Sequence, residues 1–306
     1  MTKKFDVIIL TEPRYVNPTK KDIYTENVLK EDNYVKLALE KLHLKVGRIS
    51  WDDPNFDWSS TKYILFRTTW DYFDRYPEFS DWLNKVSQQT ILLNSEKIIR
   101  WNIDKHYLLD LQKNGVHICE SYFIEKGDSD TLKKLAIKHK LNEFVLKPCV
   151  SGCARHTYKI NPKNIENYEE IFTELIANEA MILQPFQYNI VEKGELSLMV
   201  MNGKFTHAVL KVAKEGDFRV QDDFGGSVHK HTPTQNEIDF AENAVKNCIE
   251  LPIYARVDIF TDNNGKLAIA EIELIEPELW FRNHPEAADE LANGIQQLIQ
   301  QNEENR

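Results

Sequence analysis

The sequence has few cysteines, few glycines and prolines, and no long apolar run. Four cysteines among 306 residues are too few for a small disulfide scaffold, so we expect reduced thiols. Eleven glycines and eleven prolines exclude collagen-like and low-complexity chains. No stretch approaches the ~20 apolar residues of a transmembrane helix, and residues 7–10 are too short for a signal peptide. We therefore expect a cytoplasmic protein with no membrane partner.

Positive charge is also scarce. Lysine and arginine number 38 against 48 aspartates and glutamates, which gives a net charge of −10 and argues against a nucleic-acid partner. Hydrophobic residues make up 42% and charged residues 28%, as in ordinary globular proteins rather than disordered ones. The length suits two domains, or one large domain with subdomains. Anionic ligands would have to bind in local basic pockets.

The first third of the chain alternates strands and helices. Residues 5–10, 63–66 and 91–93 are short apolar runs typical of buried strands. Residues 33–44 and 79–86 have apolar side chains at helical spacing. This alternation predicts a parallel sheet with helices on its faces.

The rest of the chain is richer in strands, which indicates α/β followed by α+β. The predicted helices are residues 103–114, 131–139, 237–247 and 285–300. The predicted strands are residues 121–124, 144–146, 181–183, 196–201, 204–212, 254–260 and 267–274. Gly203 and Asn263-Asn264-Gly265 are expected to turn two pairs of these strands into hairpins. We place a domain boundary at Asn94-Ser95.

Carboxylates on two neighbouring strands form the first candidate site. Strand alternation puts Arg256 and Asp258 on one face, and Glu271 and Glu273 on one face of the partner strand. A hairpin would bring Asp258 opposite Glu271. Carboxylate oxygens are the ligands that Mg²⁺ requires when it bridges nucleotide phosphates. The alternative is a solvated sheet face on which Arg256 is an ordinary ion-pair partner.

A strand that ends in Lys147 is the second candidate, because a loop of small residues, 149–155, follows it. An ammonium group and backbone N–H groups can hold phosphate oxygens there, although the order GxxxxGK[ST] is absent. Cys149, Cys153 and His156 in the same stretch could instead suggest zinc, without the second cysteine pair that zinc sites usually have.

A third candidate is Gly216-Asp217-Phe218-Arg219, followed by Gly225-Gly226. Paired glycines permit close approach of the backbone to a ligand. The alternative is a surface loop with an incidental arginine.

The order of these motifs resembles the ATP-grasp superfamily of ligases. It runs through Asp104-Lys105, Val145-Leu146-Lys147-Pro148, Leu183-Gln184-Pro185-Phe186, Gly194-Glu195, the Gly216 and Gly225 loop, Arg256-Val257-Asp258 and Glu271-Ile272-Glu273. The loop is similar to that of the glutathione-synthetase and ribosomal-protein glutamate-ligase branch. Phe66-Arg67-Thr68-Thr69-Trp70-Asp71-Tyr72 and Glu276-Pro277-Glu278-Leu279-Trp280 are similar to the subgroup that contains the D-cycloserine-forming ligase.

The resemblance implies an ATP-grasp fold with an N-terminal Rossmann-like pre-ATP-grasp domain over residues 1–94. Central and C-terminal ATP-grasp subdomains would cover residues 95–183 and 184–306. The implied reaction moves the ATP γ-phosphoryl group to a carboxylate, and an amine-type nucleophile then attacks the acylphosphate. ADP and phosphate are released, and the substrate is small and amino-acid-like. Relatives that self-associate lead us to expect a homo-oligomer.

The resemblance also assigns roles to individual residues. The nucleotide would be held by Lys105, Lys147, Lys211, Arg256, Gln184, Pro185, Phe186 and Glu195, with Glu192 as a competitor for the ribose. Asp258, Glu271 and Glu273 match the metal ligands, for Mg²⁺ or for Mn²⁺, since Glu273 stands where the family usually has asparagine. Lys211, Arg219 and Arg256 would act in catalysis, with residues 214–227 closing as a lid.

The substrate is expected at Arg67, Trp70, Asp71 and Tyr72, with Arg155 across the cleft. Arg67 follows a strand end, where ligands of α/β sheets bind, and arginine suits a carboxylate. The alternative is that the two aromatic residues pack in the core and the charged pair lies on the surface. The ligase could close a ring within one molecule or join two molecules. The alternatives to a small-molecule ligase are a non-catalytic nucleotide-binding regulator and a peptide-tailoring macrocyclase.

Overall fold

The computed structural model describes residues 3–19, 22–152, 154–220 and 225–304. Its N-terminal part is a parallel sheet in the order β2-β1-β3-β4. The elements are β1 (Phe5–Thr11), α1 (Pro13–Val16), α2 (Ile23–Lys41), β2 (Val46–Ser50), β3 (Thr61–Thr68), α3 (Tyr76–Val86) and β4 (Ile91–Leu93). Residues 7–10 are fully buried, as in sheets covered on both faces. The predicted parallel sheet is confirmed. Strand β2 was not predicted, because Gly47 and Arg48 interrupt its apolar run.

Two short helices follow this sheet, α4 (Glu96–Ile103) and α5 (Tyr107–Lys113). The prediction of one helix over residues 103–114 was wrong at its start, because Ser95 caps a separate helix by accepting the Ile98 N–H at 3.2 Å. The apolar faces of both helices share a core with the C-terminal sheet. The domain boundaries expected from the sequence assign both helices to the central subdomain instead.

The central sheet is antiparallel, in the order β5-β8-β6-β7. Its elements are β5 (Tyr122–Ile124), α6 (Leu132–Lys138), β6 (Phe144–Pro148), β7 (Tyr158–Ile160), α7 (Glu169–Asn178) and β8 (Met181–Pro185). Phe144, Phe172 and Met181 join sheet and helices in one core. The boundary that the sequence suggests after residue 183 falls inside β8.

The C-terminal sheet is antiparallel, in the order β11-β10-β9-β12-β13. Its elements are α8 (Tyr188–Lys193), β9 (Glu195–Met201), β10 (Lys204–Val212), β11 (Ser227–His231), α9 (Gln235–Lys246), β12 (Tyr254–Thr261), β13 (Leu267–Glu273) and α10 (Glu286–Glu304). Asn202 and Gly203 have φ of 53° and 77°, which confirms the predicted hairpin turn. Helix α10 packs on α2 and joins the N-terminal sheet to β9 in one core.

Residues of the central and C-terminal sheets line a cleft of about 300 Å³. The N-terminal part also reaches it, through Tyr24 and the loop that carries Trp70. Among the described residues no helix combines the length and the apolar character that a membrane crossing needs.

Candidate active site

A row of charged side chains crosses four strands of the C-terminal sheet at this cleft. Lys211 of β10 is opposite Glu195 of β9. Ser197 of β9 is opposite Asp258 of β12, and Asp258 is opposite Glu271 of β13. Paired residues on adjacent strands share a face, so the predicted juxtaposition of Asp258 and Glu271 is confirmed.

Asp258 lies at the centre of this row. Its carboxylate accepts hydrogen bonds from Ser197 Oγ at 2.6 Å, Lys211 Nζ at 2.9 Å and Arg256 Nη2 at 2.9 Å. Burial opposes its ionisation, but Arg256 and Lys211 outweigh burial and hold the pKa of Asp258 well below its usual value. Lys211 also pairs with Glu195 at 2.5 Å. Asp258 is therefore a carboxylate with two buried cations beside it.

Glu271 and Glu273 have different electrostatic surroundings. Burial opposes ionisation of Glu271, but Lys105, 3.0 Å from its carboxylate, and Lys147 outweigh it and lower the pKa of Glu271. Glu273 contacts the Arg256 guanidinium. Burial together with the neighbouring Glu271 and Asp258 still raises the pKa of Glu273 to about 7. Three carboxylates that converge and repel one another fit a hard divalent cation.

Two lysines face these carboxylates from the other side of the cleft. Lys105 is held by its own backbone N–H, which donates to Cys149 O at 3.0 Å, and by its ammonium, which donates to Ser151 O at 2.8 Å. Burial lowers the pKa of Lys147. No carboxylate of the described residues lies within 4 Å of the Lys147 ammonium. A half-buried cation without a carboxylate partner suits a bound anion.

The expected adenine segment lines the cleft at the end of β8. Gln184 Nε2 donates to Ser121 Oγ at 2.8 Å, and the backbone N–H of Phe186 donates to Glu143 O at 2.8 Å. Pro185 lies between them in the cleft wall, and Glu195 also lines the cleft. Glu192 is exposed on α8 outside the lining residues. The geometry therefore favours Glu195 over Glu192 as a nucleotide contact.

Of the residues expected at the substrate, Trp70 and Tyr72 line the cleft, whereas Arg67 and Asp71 lie outside its lining. Arg67 is only 1% exposed and donates to Pro277 O at 3.1 Å. Asp71 accepts from Trp51 Nε1 at 2.7 Å and from Arg75 Nη1 at 2.8 Å. Both charged groups are thus occupied inside the N-terminal part, so we no longer place them at the substrate.

Arg155 is likewise occupied elsewhere. Its guanidinium donates to both carboxylate oxygens of Glu179, at 3.0 Å and 2.5 Å, and to Val150 O at 3.0 Å. It lies outside the cleft lining. This bidentate pair anchors the loop that follows β6 and takes the arginine out of the expected substrate contact.

Arg219 lines the cleft together with Phe218. Its guanidinium pairs with Asp217 at 2.7 Å, which lowers the pKa of that carboxyl group. The expected lid over residues 214–227 includes 221–224, which lie outside the described residues. The described part places the arginine where it can reach a ligand in the cleft.

The zinc alternative falls partly outside the described residues. Cys153 lies outside the described residues, and His156 Nδ1 is 3.1 Å from the Tyr158 hydroxyl. The potential ligands that gather around Cys149 are Asp104 and His106. Burial raises the pKa of the Cys149 thiol, which opposes formation of the thiolate that binds metal.

Sequence reasoning missed a carboxylate at the substrate end of the cleft. Glu276 follows β13 and lines the cleft, as do Glu278 and Trp280. Burial, with Glu273 and Glu271 nearby, raises the pKa of Glu276 to about 8. The five-residue motif that contains Glu276 was visible in the sequence, but strand periodicity ends before it and says nothing of where its side chains point.

One antiparallel sheet carries Lys147 on a strand that ends at the cleft, and a second antiparallel sheet carries the convergent carboxylates. This arrangement places the protein in the class of ATP-grasp folds.

Comparison with known proteins agrees with this class and narrows it. A family model of the N-terminal domain of D-cycloserine synthetase DcsG matches residues 7–94. A model of the ATP-grasp domain of prokaryotic glutathione synthetase matches residues 124–264. The cycloserine biosynthesis protein DcsG of Streptomyces lavendulae is 30% identical over 256 residues, covering 75% of this chain and 80% of that protein. The chain therefore belongs to the ATP-grasp ligase family that includes D-cycloserine synthetase.

Solved structures show the same fold. The crystal structure of D-cycloserine synthetase DcsG has a TM-score of 0.82 at 23% identity and covers 94% of this chain and 98% of that chain. D-alanine–D-alanine ligase from Bacillus anthracis has a TM-score of 0.65 at 13% identity and covers 98% of this chain and 99% of that chain. With the family shown by the DcsG relative and by the ATP-grasp domain model, the chain is an ATP-grasp ligase.

Proposed function

We propose that the protein converts the carboxylate of a small amino-acid-like substrate into an acylphosphate and joins it to an amine-type nucleophile of the same molecule. The product is then a ring that contains an amide bond. The name of the 30% identical relative, a cycloserine biosynthesis protein, supports ring closure. Ligation of two separate molecules is the second form of the same chemistry.

The reaction needs two displacements. A substrate carboxylate oxygen attacks the γ-phosphorus of ATP, the bond to the β-γ bridging oxygen breaks, and ADP leaves with that electron pair. The amine then attacks the acyl carbon, phosphate leaves and the nitrogen loses a proton. Both steps place negative charge on oxygens that a polar, water-poor site can stabilise.

The residues of the cleft are distributed to suit these displacements. Lys105, in the loop before α5, and Lys147, in β6, would hold the phosphates of ATP. Lys211 and Arg256, on the C-terminal sheet, would neutralise the charge of the transferring phosphoryl group. Arg219 would hold the acylphosphate oxygens. Asp258, Glu271 and Glu273 would hold Mg²⁺ or Mn²⁺, and the metal would supply further neutralisation of phosphate charge.

The observation that carries this proposal is the pairing of charges across the cleft. Four carboxylates lie in the row, Glu195, Asp258, Glu271 and Glu273, and three of the four neighbouring cations already pair with them. Lys147 is the fourth cation, half-buried and without a carboxylate partner among the described residues. A polyanion accompanied by divalent cations can bind in this arrangement without leaving net charge buried.

The test is release of ADP and phosphate from ATP and Mg²⁺ with a panel of amino acids, dipeptides and O-substituted serines, with mass spectrometry of the products. Phosphate release that depends on one acid, with a product one water lighter than that acid, establishes ring closure. A product that combines two panel members establishes intermolecular ligation. Tight ATP binding with no acid-dependent release would reject a ligase acting on these substrates.

A further inference from the structure

The loop that follows β13 adds two carboxylates, Glu276 and Glu278, to the lining of the cleft. This loop lies beside the N-terminal part, because Trp70 Nε1 donates to Glu276 O at 2.8 Å and Arg67 donates to Pro277 O at 3.1 Å. Arg67, which was expected to supply positive charge there, is buried behind the loop. Arg67 therefore does not supply a positive charge to this part of the cleft.

Glu276 is the carboxylate in this part of the cleft that lacks a cationic partner. Among the described residues no lysine or arginine lies within 4 Å of its carboxylate, and Lys105 is the nearest cation that influences it. The Tyr72 hydroxyl lies beside it. Glu278, by contrast, pairs with Arg282 at 2.5 Å. A buried carboxylate needs hydrogen-bond donors or an opposite charge, and an ammonium group supplies both through its three N–H donors.

Aromatic rings surround the same part of the cleft. Trp70 and Tyr24 line it with ring centroids 6.1 Å apart, and Trp280 also lines the cleft, with its ring centroid 5.4 Å from the Arg256 guanidinium. Aromatic faces attract ammonium groups, and tryptophan attracts them most strongly. Trp280 has φ of +46°, a conformation that a bulky residue adopts only when its surroundings enforce it.

Several buried contacts hold the 276–280 loop in place. Arg67 donates to Pro277 O at 3.1 Å, and Trp70 Nε1 donates to Glu276 O at 2.8 Å. Buried Glu31 accepts the backbone N–H of Phe281 at 2.7 Å. The N-terminal part thus holds the backbone of the loop that carries Glu276, as a preorganised recognition site requires.

We propose that Glu276, Tyr72 and Trp70 form a subsite for the free α-amino group of the substrate, a group distinct from the amine-type nucleophile that attacks the acylphosphate. The substrate would then lie in the cleft as a zwitterion, with its carboxylate towards the nucleotide and its ammonium towards Glu276. Acids whose amino group is acylated would bind more weakly, because they cannot offer Glu276 an ammonium group with three N–H donors. This inference rests on the proposed function, since it assumes that the carboxylate of an amino acid occupies the cleft.

Calorimetric binding with ADP and Mg²⁺ present tests the subsite apart from turnover. The probes are D-cycloserine, D-serine and D-alanine, each beside its N-acetyl derivative. A hydrogen-bonded charge pair contributes an amount that corresponds to about 10- to 100-fold in affinity. We expect wild-type protein to prefer at least one free amine by about that factor, and Glu276→Gln to lose the preference.

Two further variants control for structural effects. Glu276→Asp keeps the charge and should retain part of the preference for the free amine. Glu278→Gln removes a carboxylate of the same loop that Arg282 already neutralises, so it should change the preference far less. In turnover, Glu276→Gln should raise KM for the acid more than it lowers kcat and leave KM for ATP within about twofold.

The outcomes separate the subsite from the ligase activity. Equal binding of free and acetylated probes, no binding of any free amine, or an unchanged preference in Glu276→Gln overturns the subsite. Turnover that accepts N-blocked acids as well as free amino acids overturns it too, while the ligase function stands. A preference that depends on Glu276, with no acid-dependent phosphate release, supports the subsite and rejects the ligase reaction.

Discussion

Replacing Lys147 and Lys211 in turn by methionine compares two lysines of the same cleft, of which Lys211 is buried and Lys147 half-buried. Both line it, but Lys211 pairs with Glu195 at 2.5 Å and with Asp258 at 2.9 Å, whereas Lys147 has no such partner among the described residues. Burial lowers the pKa of Lys147, and the like charge of Lys105 adds to this. Its ammonium therefore does not stabilise the empty protein appreciably.

The two variants should separate stability from ligand binding. Lys211→Met leaves two buried carboxylates without their shared cation, which costs about 3–5 kcal/mol of unfolding free energy and roughly 5–15 °C in Tm. Lys147→Met should leave Tm within about 2 °C or raise it. Instead, the affinity of Lys147→Met for ATP should fall about 10- to 100-fold, because one charged contact to phosphate is lost.

Thermal unfolding with and without ATP and Mg²⁺, together with calorimetric titration of ATP, measures both quantities. Wild-type protein should gain Tm on adding nucleotide, and Lys147→Met should gain much less. The reasoning would be refuted if Lys147→Met lost as much stability as Lys211→Met in the absence of nucleotide. It would also be refuted if Lys147→Met bound ATP as tightly as the wild type.

Three more predictions follow from the cleft and the core. Asp258→Asn or Glu271→Gln should lower ATP consumption by at least about 100-fold, and an unchanged rate of ADP release would reject the metal assignment. Because the pKa of Glu273 is raised to about 7, its protonation should weaken Mn²⁺ binding as the pH falls from 8 to 6. Electron paramagnetic resonance measures the bound Mn²⁺, and Glu273→Gln should flatten its pH dependence. Burial lowers the pKa of His207 to about 4, so the unfolded chain binds more protons between about pH 4 and 6.5. The free energy of unfolding should therefore be about 2 kcal/mol lower at pH 5 than at pH 7. His207→Gln, which can still donate to Leu279 O, should remove that part of the pH dependence in denaturant titrations.

Most of the fold was predictable because its elements carry strong local patterns. The apolar run of β1 and the turn at Gly203 lie where the sequence places them. Elements without such a pattern were missed, as with β2, whose five residues include Gly47 and Arg48. The break between α4 and α5 was missed because Ser95 starts a helix that residue periodicity alone had not separated.

The two halves of the candidate site differ in how far the sequence could predict them. Alternation along β12 and β13 and the turn between them were enough to bring Asp258 opposite Glu271, because strand pairing is local and has a period of two. The substrate end depends on contacts between segments about 200 residues apart, such as Arg67 with Pro277. No periodic pattern encodes such contacts.

The sequence by itself therefore determined the class of chemistry, since the order of its lysine, arginine and carboxylate motifs identifies the ATP-grasp family. Only the tertiary structure decided which charged residues are available to a ligand. Arg67, Asp71 and Arg155 are occupied by buried partners, while Glu276 lines the cleft without a cation among the described residues. The physical reason is that desolvation and pairing, which set the behaviour of a buried charge, depend on neighbours that folding brings together from distant parts of the chain.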